Sequence, residues 1–591
     1  MTSPVRFPGV PDYARSVLHV CWGNVEPEPA LSGRQITRFD LASRAPVSTV
    51  ASPFDFVLIT PSTTVDPESL VAAMADAAAR LGENGRLHLR LTASVPASVI
   101  AAKLEGLGLA LYGPAIELAD GVQLTAVHTG YDALAHGRAL AAGGHLDWAY
   151  EVLEEIPREH MRDRSHQTEI YLEKQLILLT MALRAPASER AALFFKSQQQ
   201  FFNVLNVSPN LHHAFLCQSE CWRALGRADL ARRLLRSIQA TAPEAIVAER
   251  IAALGPARRV EVISGEPPEW DPVFRPRILI ITHEHGDYGM DISYDGLCRV
   301  LGAEYLQEFP YKPLLHGGAL PDGQPHPSTC NHPGQEKDPA TLENELRAGF
   351  YDLIIFADRL KFTPREAVLR VIIADPDIPL FIMDTWDDCG NALPELLDYL
   401  GRDSVSGYFK REMLAGDFYD GRAVPMPFAY SDDRVPEALP SPRTEPVFWA
   451  GHRAFGLRGL YLEHLEKKRG LKFNAHYTQT EYTERLAASR IGLDFFGLGF
   501  DTVRYWELAA HGCMLLAERR PTLIPHNFVD GVSAVFFDDL PELEEKLTYY
   551  LGHPGEAEHI AAAGRALFMK HHTSSARARQ LLGCIADLLR D

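Results

Sequence analysis

At 591 residues the chain is too long for a single hydrophobic core, and three or four domains are expected. Its net charge of -19 argues against a general nucleic-acid or anionic-membrane binder, since either wants a basic surface. The eight cysteines, among them Cys21, Cys217, Cys221, Cys330 and Cys513, are scattered without CxxC spacing or a zinc-type Cys/His cluster, which fits a reduced compartment. The opening MTSPVRFPGVPDY has no basic start followed by an apolar core, and no apolar run approaches about 20 residues. A cytoplasmic location without a membrane span is therefore expected.

Residues 1–130 alternate strand-like and helix-like runs: SVLHV (Ser16 to Val20), FDFVLIT (Phe54 to Thr60) and GRLHLRL (Gly85 to Leu91), with an alanine-rich helix from about Pro67 to Leu81. The phrases VLHVCWGN, RFDL with Asp40, FDFVLI and LGENGRLHL stand in the order that Rossmann-like methyltransferases show, and the segment resembles that family. The resemblance implies S-adenosylmethionine binding at the first turn. CWGN carries a single glycine, Gly23, where the family has several to admit the cofactor, so a degenerate domain that has lost its cofactor is expected.

Residues 131–254 read as helices. GRALAAGGHLDWAYEVLEEIP and HHAFLCQSECWRALGRADLARRLLRSIQATAP each give a helix pair around a glycine turn, with a less regular helical stretch between them. Trp222, Leu225, Gly226, Ala228 and Ala231 resemble the tetratricopeptide pattern. Helix pairs of that kind stack and leave a concave surface, either a spacer or a dock for a protein partner. Residues 255–276, rich in proline and charge, form a linker.

A second α/β region begins at Arg277. Strands are expected at Ile278, Tyr351–Asp358, Pro379–Asp388 and Val405–Glu412, and the segment from about Tyr311 to Asp338 as a loop over the opening that their ends line. Near Pro446 a further strand leads to Gly451, with Arg453 and Arg458 beyond it. The stretch from Ser489 to Glu518, SRIGLDFFGLGFDTVRYWELAAHGCMLLAE, is a strand, a glycine-rich turn, a helix carrying Arg504 and Glu507 on one face, and a strand. Such a turn lets backbone approach a ligand, and the helix start favours an anion.

WELAAHGCMLLAE resembles the segment of GT-B glycosyltransferases whose glutamate holds the ribose of a nucleotide-sugar. The continuation through FFDDL, YYLGHP and IAAAGR is similar to the end of the CgeB-like branch of group 1 enzymes. The resemblance implies a multidomain α/β chain: a GT-B pair of Rossmann-like domains, 277–443 (acceptor) and 444–591 (donor), preceded by a Rossmann-like domain and an α-helical repeat region. The last helix, near Ala576 to Leu589, is expected to cross back onto the acceptor half. The resemblance further implies donor contacts from Gly451, Arg453, Arg458, Gly499, Asp501, Arg504 and Glu507, the two arginines neutralising the diphosphate. Two departures stand out: His452 is an extra residue in the arginine motif, and Gly499 occupies the place of a second glutamate in related retaining enzymes. For the acceptor side, His285 and Asp287, with His283 in the same loop, are the candidate catalytic groups. The acids of DTWDD (Asp384, Asp387, Asp388) follow an apolar strand and are not read as a metal motif, so neither metal nor cofactor is expected. The expected function is sugar transfer from a nucleotide-sugar to a cytoplasmic acceptor, such as a protein like flagellin or another surface-structure precursor. The alternatives are a methyltransferase acting on a glycan and a non-catalytic scaffold built around the helical repeat.

Overall fold

The computed structural model describes three strands in the first 60 residues and, from Pro67 to Arg590, all but short connecting stretches such as 320–325 and 474–476. The single-glycine turn at Gly23 lies outside the described residues. The chain divides into two compact units, Met1–Ala185 and Pro186–Asp591.

The first unit contains β1 (Ser16–Cys21), β2 (Gln35–Asp40), β3 (Phe54–Thr60), α1 (Pro67–Ala78), β4 (Leu81–Thr92), α2 (Ala97–Gly106), β5 (Leu109–Leu111), β6 (Ile116–Leu118) and β7 (Gly121–His128). One sheet runs β2-β1-β3-β4-β7-β5, with β6 also paired to β7. The first four strands are parallel and β7 is reversed. Helix α1 seats Leu70, Met74 and Ala77 on Leu87, Leu89 and Leu124 of the sheet. Three helices follow, α3 (Ala133–Ala142), α4 (Leu146–Glu154) and α5 (Arg164–Arg184). Their core residues Leu134, Val152, Leu153, Ile170 and Ile177 cluster with Tyr112 and Val127.

The second unit opens with α6 (Ala187–Val207), α7 (His212–Ala224), α8 (Ala228–Thr241) and α9 (Ala245–Ala253). The division between units thus falls inside the stretch read from sequence as one helical region. The physical reason is in the packing. Trp222 and Leu230 cluster with Cys389, Leu414, Phe496 and Phe500 far along the chain, whereas α3 to α5 share a core with the first sheet.

Next come β8 (Ile278–Ile281), α10 (Tyr288–Leu301), β9 (Leu306–Phe309), α11 (Pro339–Arg347), β10 (Leu353–Phe356), α12 (Arg365–Ile373), β11 (Leu380–Asp384), α13 (Leu393–Leu400), β12 (Gly407–Lys410) and β13 (Ala423–Pro425). They form a parallel sheet in the order β13-β12-β11-β10-β8-β9. The strands ILII, LIIF, LFIMD and GYFK are buried at every position, as parallel strands covered on both faces must be. The strand read at Val405–Glu412 is shorter than expected, so Arg411 and Glu412 lie in the turn beyond it. The segment after Tyr311 is tied down where it is described. Lys312 Nζ and Ser328 Oγ donate to Asp291 at 2.5 and 2.6 Å, and His316 Nε2 donates to Glu308 at 2.8 Å.

The final half holds β14 (Glu445–Phe448), α14 (Arg458–Arg469), α15 (Gln479–Ala488), β15 (Ser489–Asp494), α16 (Val503–Ala510), β16 (Met514–Glu518), β17 (Val535–Phe537), α17 (Leu540–Gly552), α18 (Pro554–His571) and α19 (Ser574–Leu588). Its sheet is parallel in the order β14-β15-β16-β17. Helix α19 crosses back, as expected, and places Leu581, Leu582 and Ile585 in one core with Ile278, Ile280 and Leu353 of the other half. Two Rossmann-like halves are the result, the fold class expected from the sequence. Helix α8 is anchored on the second half: Ser237 Oγ lies 3.1 Å from Tyr461 Oη and accepts from the Leu540 amide at 3.2 Å, while Arg233 pairs with Asp538 at 3.0 Å.

Candidate functional site

The unit β15, turn, α16 is assembled as the sequence suggests, and the helix needs close approach to the strand. A Cβ on Gly492 would lie 2.0 Å from Leu508 Cδ2. Thr502 caps α16 by accepting from the Tyr505 amide, and its hydroxyl donates to Asp494 Oδ1 at 2.5 Å. Asp494 also pairs with Arg520 at 2.5 Å, both side chains fully buried. This pair, which fixes the turn between strand and helix, was not legible as a motif; an acid ending an apolar strand was its one local sign.

Arg504 and Glu507 share one face of α16. Glu507 is buried and accepts from Tyr482 Oη on α15 at 2.7 Å; burial raises its carboxyl above the usual range. Arg504 donates to the Ala450 carbonyl and lies over the Trp449 ring at 5.1 Å. Its Nε and Nη1 are buried without a hydrogen-bond partner. Arg458, at the start of α14, donates only to carbonyls, those of Phe495 at 3.1 and 3.2 Å and His452 at 3.2 Å. Burial, and then the neighbouring charge of Arg504, push its guanidinium down to about 9. Among the described residues neither arginine forms an ion pair. Two neighbouring like charges, Arg458 buried and Arg504 half-buried, with no carboxylate in ion-pair contact, cost free energy that an anion carrying two or more charges offsets.

The other sequence-derived positions are placed differently. Arg453, in the loop ahead of α14, is held in a bidentate pair by Glu466 of that helix, at 2.6 and 2.9 Å. Gly451 sits at φ 137° against Arg504. Asp501 is buried and committed to the Phe428 amide and Trp506 Nε1, at 2.6 and 2.9 Å. Gly499 faces Glu412 and Asp387 of the other Rossmann-like half. The amides of the glycine-rich turn, expected to meet a ligand, are largely occupied: Phe496 donates to Glu518 and Phe500 to Glu412.

In the half that begins at β8, Asp287 caps α10 through the Met290 amide and accepts from Thr385 Oγ1 at 2.6 Å. His285 is exposed, its ring edge against Phe362. His283 is buried, with Nε2 3.9 Å from Asp287 Oδ2 and Nδ1 without a partner. Burial, and then Lys312, lower its imidazole below the ordinary value, so it is neutral at neutral pH. Asp384 is sealed by Tyr408 and Lys410 at 2.6 and 2.9 Å, and Asp387, partly exposed, pairs with Arg411. Asp295, Cys330 and His332 bring potential metal-binding atoms within 4.8 Å of one another, but Asp295 already accepts from Arg299, His332, Ser431 and Ser574.

Residues 449–583 match the family model described as glycosyl transferase-like. No curated protein matches the chain. Solved structures aligned with it include Alr3699/HepE of Anabaena in complex with UDP and glucose, at 11% identity over 54% of this chain and 100% of that one, TM-score 0.35. A glycosyltransferase of Rickettsia africae aligns at 11% identity over 54% and 100%, TM-score 0.38. An O-GlcNAc transferase mutant of Thermobaculum terrenum aligns at 13% identity over 78% and 97%, TM-score 0.33. The family match thus assigns a glycosyl transferase-like segment to residues 449–583, which lie in the second of the two Rossmann-like halves. Among the described residues no helix is long and apolar enough to cross a membrane.

Proposed function

We propose that this protein transfers a sugar from a nucleotide-sugar to a cytoplasmic acceptor, with the donor held on the face of α16. The observation that carries the reading is a pair of arginines without ion-pair partners among the described residues, Arg458 buried and Arg504 half-buried with its Nε and Nη1 enclosed, beside the buried carboxyl of Glu507. In this reading the arginines take the diphosphate and stabilise its charge as the sugar bond breaks, and Glu507 accepts from the ribose hydroxyls. His283, neutral and backed by Asp287, accepts the proton of the acceptor hydroxyl; His285 lines the approach. No step requires a metal.

A protein acceptor is the finer part of the proposal. Its support is the helical stack α6 to α9, anchored directly on the donor half, which offers a surface next to the site. A methyltransferase is a second reading, favoured by one observation: β1 has parallel neighbours on both sides, the arrangement that opens a ligand crevice in doubly wound sheets. A thermal-shift panel of UDP-, GDP-, CMP- and dTDP-sugars tests the main reading, since a ligand of the native state raises the melting temperature. One donor should shift the protein and Glu507→Ala should abolish the shift. A shift with S-adenosylmethionine alone would favour the second reading.

A further inference from the structure

Glu412 belongs to the acceptor half, just beyond β12, and is completely buried; Arg411 pairs with its Oε1 at 2.9 Å, and both carboxylate oxygens also reach the donor half. Oε2 accepts from the Phe500 amide and Oε1 from the Asp501 amide, both at 2.9 Å. Arg411 grips the same turn from the other direction, donating to the Asp501 carbonyl at 2.6 Å while holding the Thr385 carbonyl at 2.7 Å and the Asp387 carboxylate. Successive backbone N–H groups that converge in this way form an anion-binding concavity. Here a side chain fills it. Gly499 is the residue that leaves room: a Cβ there would lie 2.2 Å from Glu412 Oε1 and 3.0 Å from Asp387 Oδ1.

We infer that Glu412 is a positioning residue of the donor site, an acceptor-half carboxylate that fixes residues 499–501 and thereby the face of α16 that carries Arg504 and Glu507. The inference rests on the donor-site reading given above. It has a consequence for where the donor binds: with the concavity occupied, the diphosphate is left to Arg458 and Arg504 and not to the backbone ahead of α16. The charged and titratable groups facing Glu412 are Arg411 beside it, Asp387 and Cys389 after β11, Tyr419, and Asp501 across the halves. Burial outweighs Arg411 and pushes the Glu412 carboxyl up to about 7. Protonation removes one of its two acceptor positions, so the hold on the turn loosens as pH falls through about 7.

Hydrogen exchange of residues 499–510 in the full-length chain, corrected for intrinsic rates between pH 6 and 8.5, tests this, with calorimetric titration of UDP and GDP on the same samples. In E412A and G499A the Phe500 and Asp501 amides should exchange at least tenfold faster, and binding of the nucleoside diphosphate should weaken at least tenfold. In the wild type, exchange of these amides should speed up below pH 7; E412Q should show no such inflection. Unchanged exchange in G499A, or an inflection retained in E412Q, overturns the proposal, and both variants decide it even where E412A does not fold. If the wild type binds neither UDP nor GDP, the donor-site reading fails, whereas the exchange data still decide whether Glu412 holds the turn.

Discussion

Among single residues, the proposed site turns on Arg458, which is buried, and Arg504, which is half-buried, because their guanidinium groups meet carbonyls and an aromatic ring and no carboxylate in ion-pair contact among the described residues. A charge-assisted hydrogen bond contributes about 1.5–3 kcal/mol. Arg458→Ala is therefore expected to weaken nucleoside diphosphate binding by roughly ten- to a hundredfold while leaving nucleoside binding nearly unchanged, which isothermal titration of both ligands measures. His283→Ala should lower kcat by about 10²- to 10⁴-fold, the range for a general base, with donor affinity within about twofold of wild type. His285→Ala, on an exposed ring, should leave turnover within a few-fold. Sequence reading reached the loop that carries these histidines but not the choice among them. Burial distinguishes them, leaving His283 Nδ1 enclosed without a partner and His285 in solvent, and the proposed role of His283 rests on that difference.

Elements matter through how closely they approach. Helix α16 lies on β15 at Gly492, and Gly492→Ala would press a methyl group into Leu508. Overpacking of this kind costs about 1–3 kcal/mol, and the displaced helix carries Arg504 and Glu507. The variant is expected to melt several degrees lower and to lose donor affinity as well, whereas a change confined to stability would show that helix position does not govern the site. The elements themselves were legible: apolar runs such as ILII and LFIMD bounded by turn residues announce buried parallel strands. Their ends were not, and the shorter β12 moved Arg411 and Glu412 from a strand into a turn that faces the other half.

Across the whole molecule, Glu518 connects the helical stack to the donor turn. Its Oε2 accepts from the Phe496 amide at 2.6 Å and its Oε1 from Tyr461 Oη at 3.4 Å, and Tyr461 meets Ser237 of α8. Burial pushes this carboxyl from its ordinary 4.5 up to about 7. A raised carboxyl contributes stability that is fully present below about 4.5 and is lost as pH rises through about 7, because the folded state then bears an ionised buried group. Glu518→Gln cannot ionise. Relative to wild type it should gain stability between pH 5 and pH 8, by up to about 3 kcal/mol, read as the difference in melting temperature at the two pH values. His511, pushed down to about 4 by burial, acts with the opposite sign: its contribution is present above about 6.5 and is lost as pH falls toward 4. The comparison between variants at each pH therefore carries the test, and the wild-type profile alone does not.

The order of strands and helices, the two Rossmann-like halves and the place of Arg504 and Glu507 were legible in the residues alone, because these depend on local apolar patterning and on neighbours three or four residues apart. Folding in three dimensions settled which cations lack an ion-pair partner among the described residues, that Arg453 is taken by Glu466, and that α6 to α9 pack with the second unit while α3 to α5 pack with the first. It alone also brought Glu412 to Phe500 and Asp501, about ninety positions away in the chain. The reason is physical: ion pairing and the raising or lowering of a pKa depend on what lies within a few ångströms after folding, and contacts of long sequence separation leave no periodic trace in the chain.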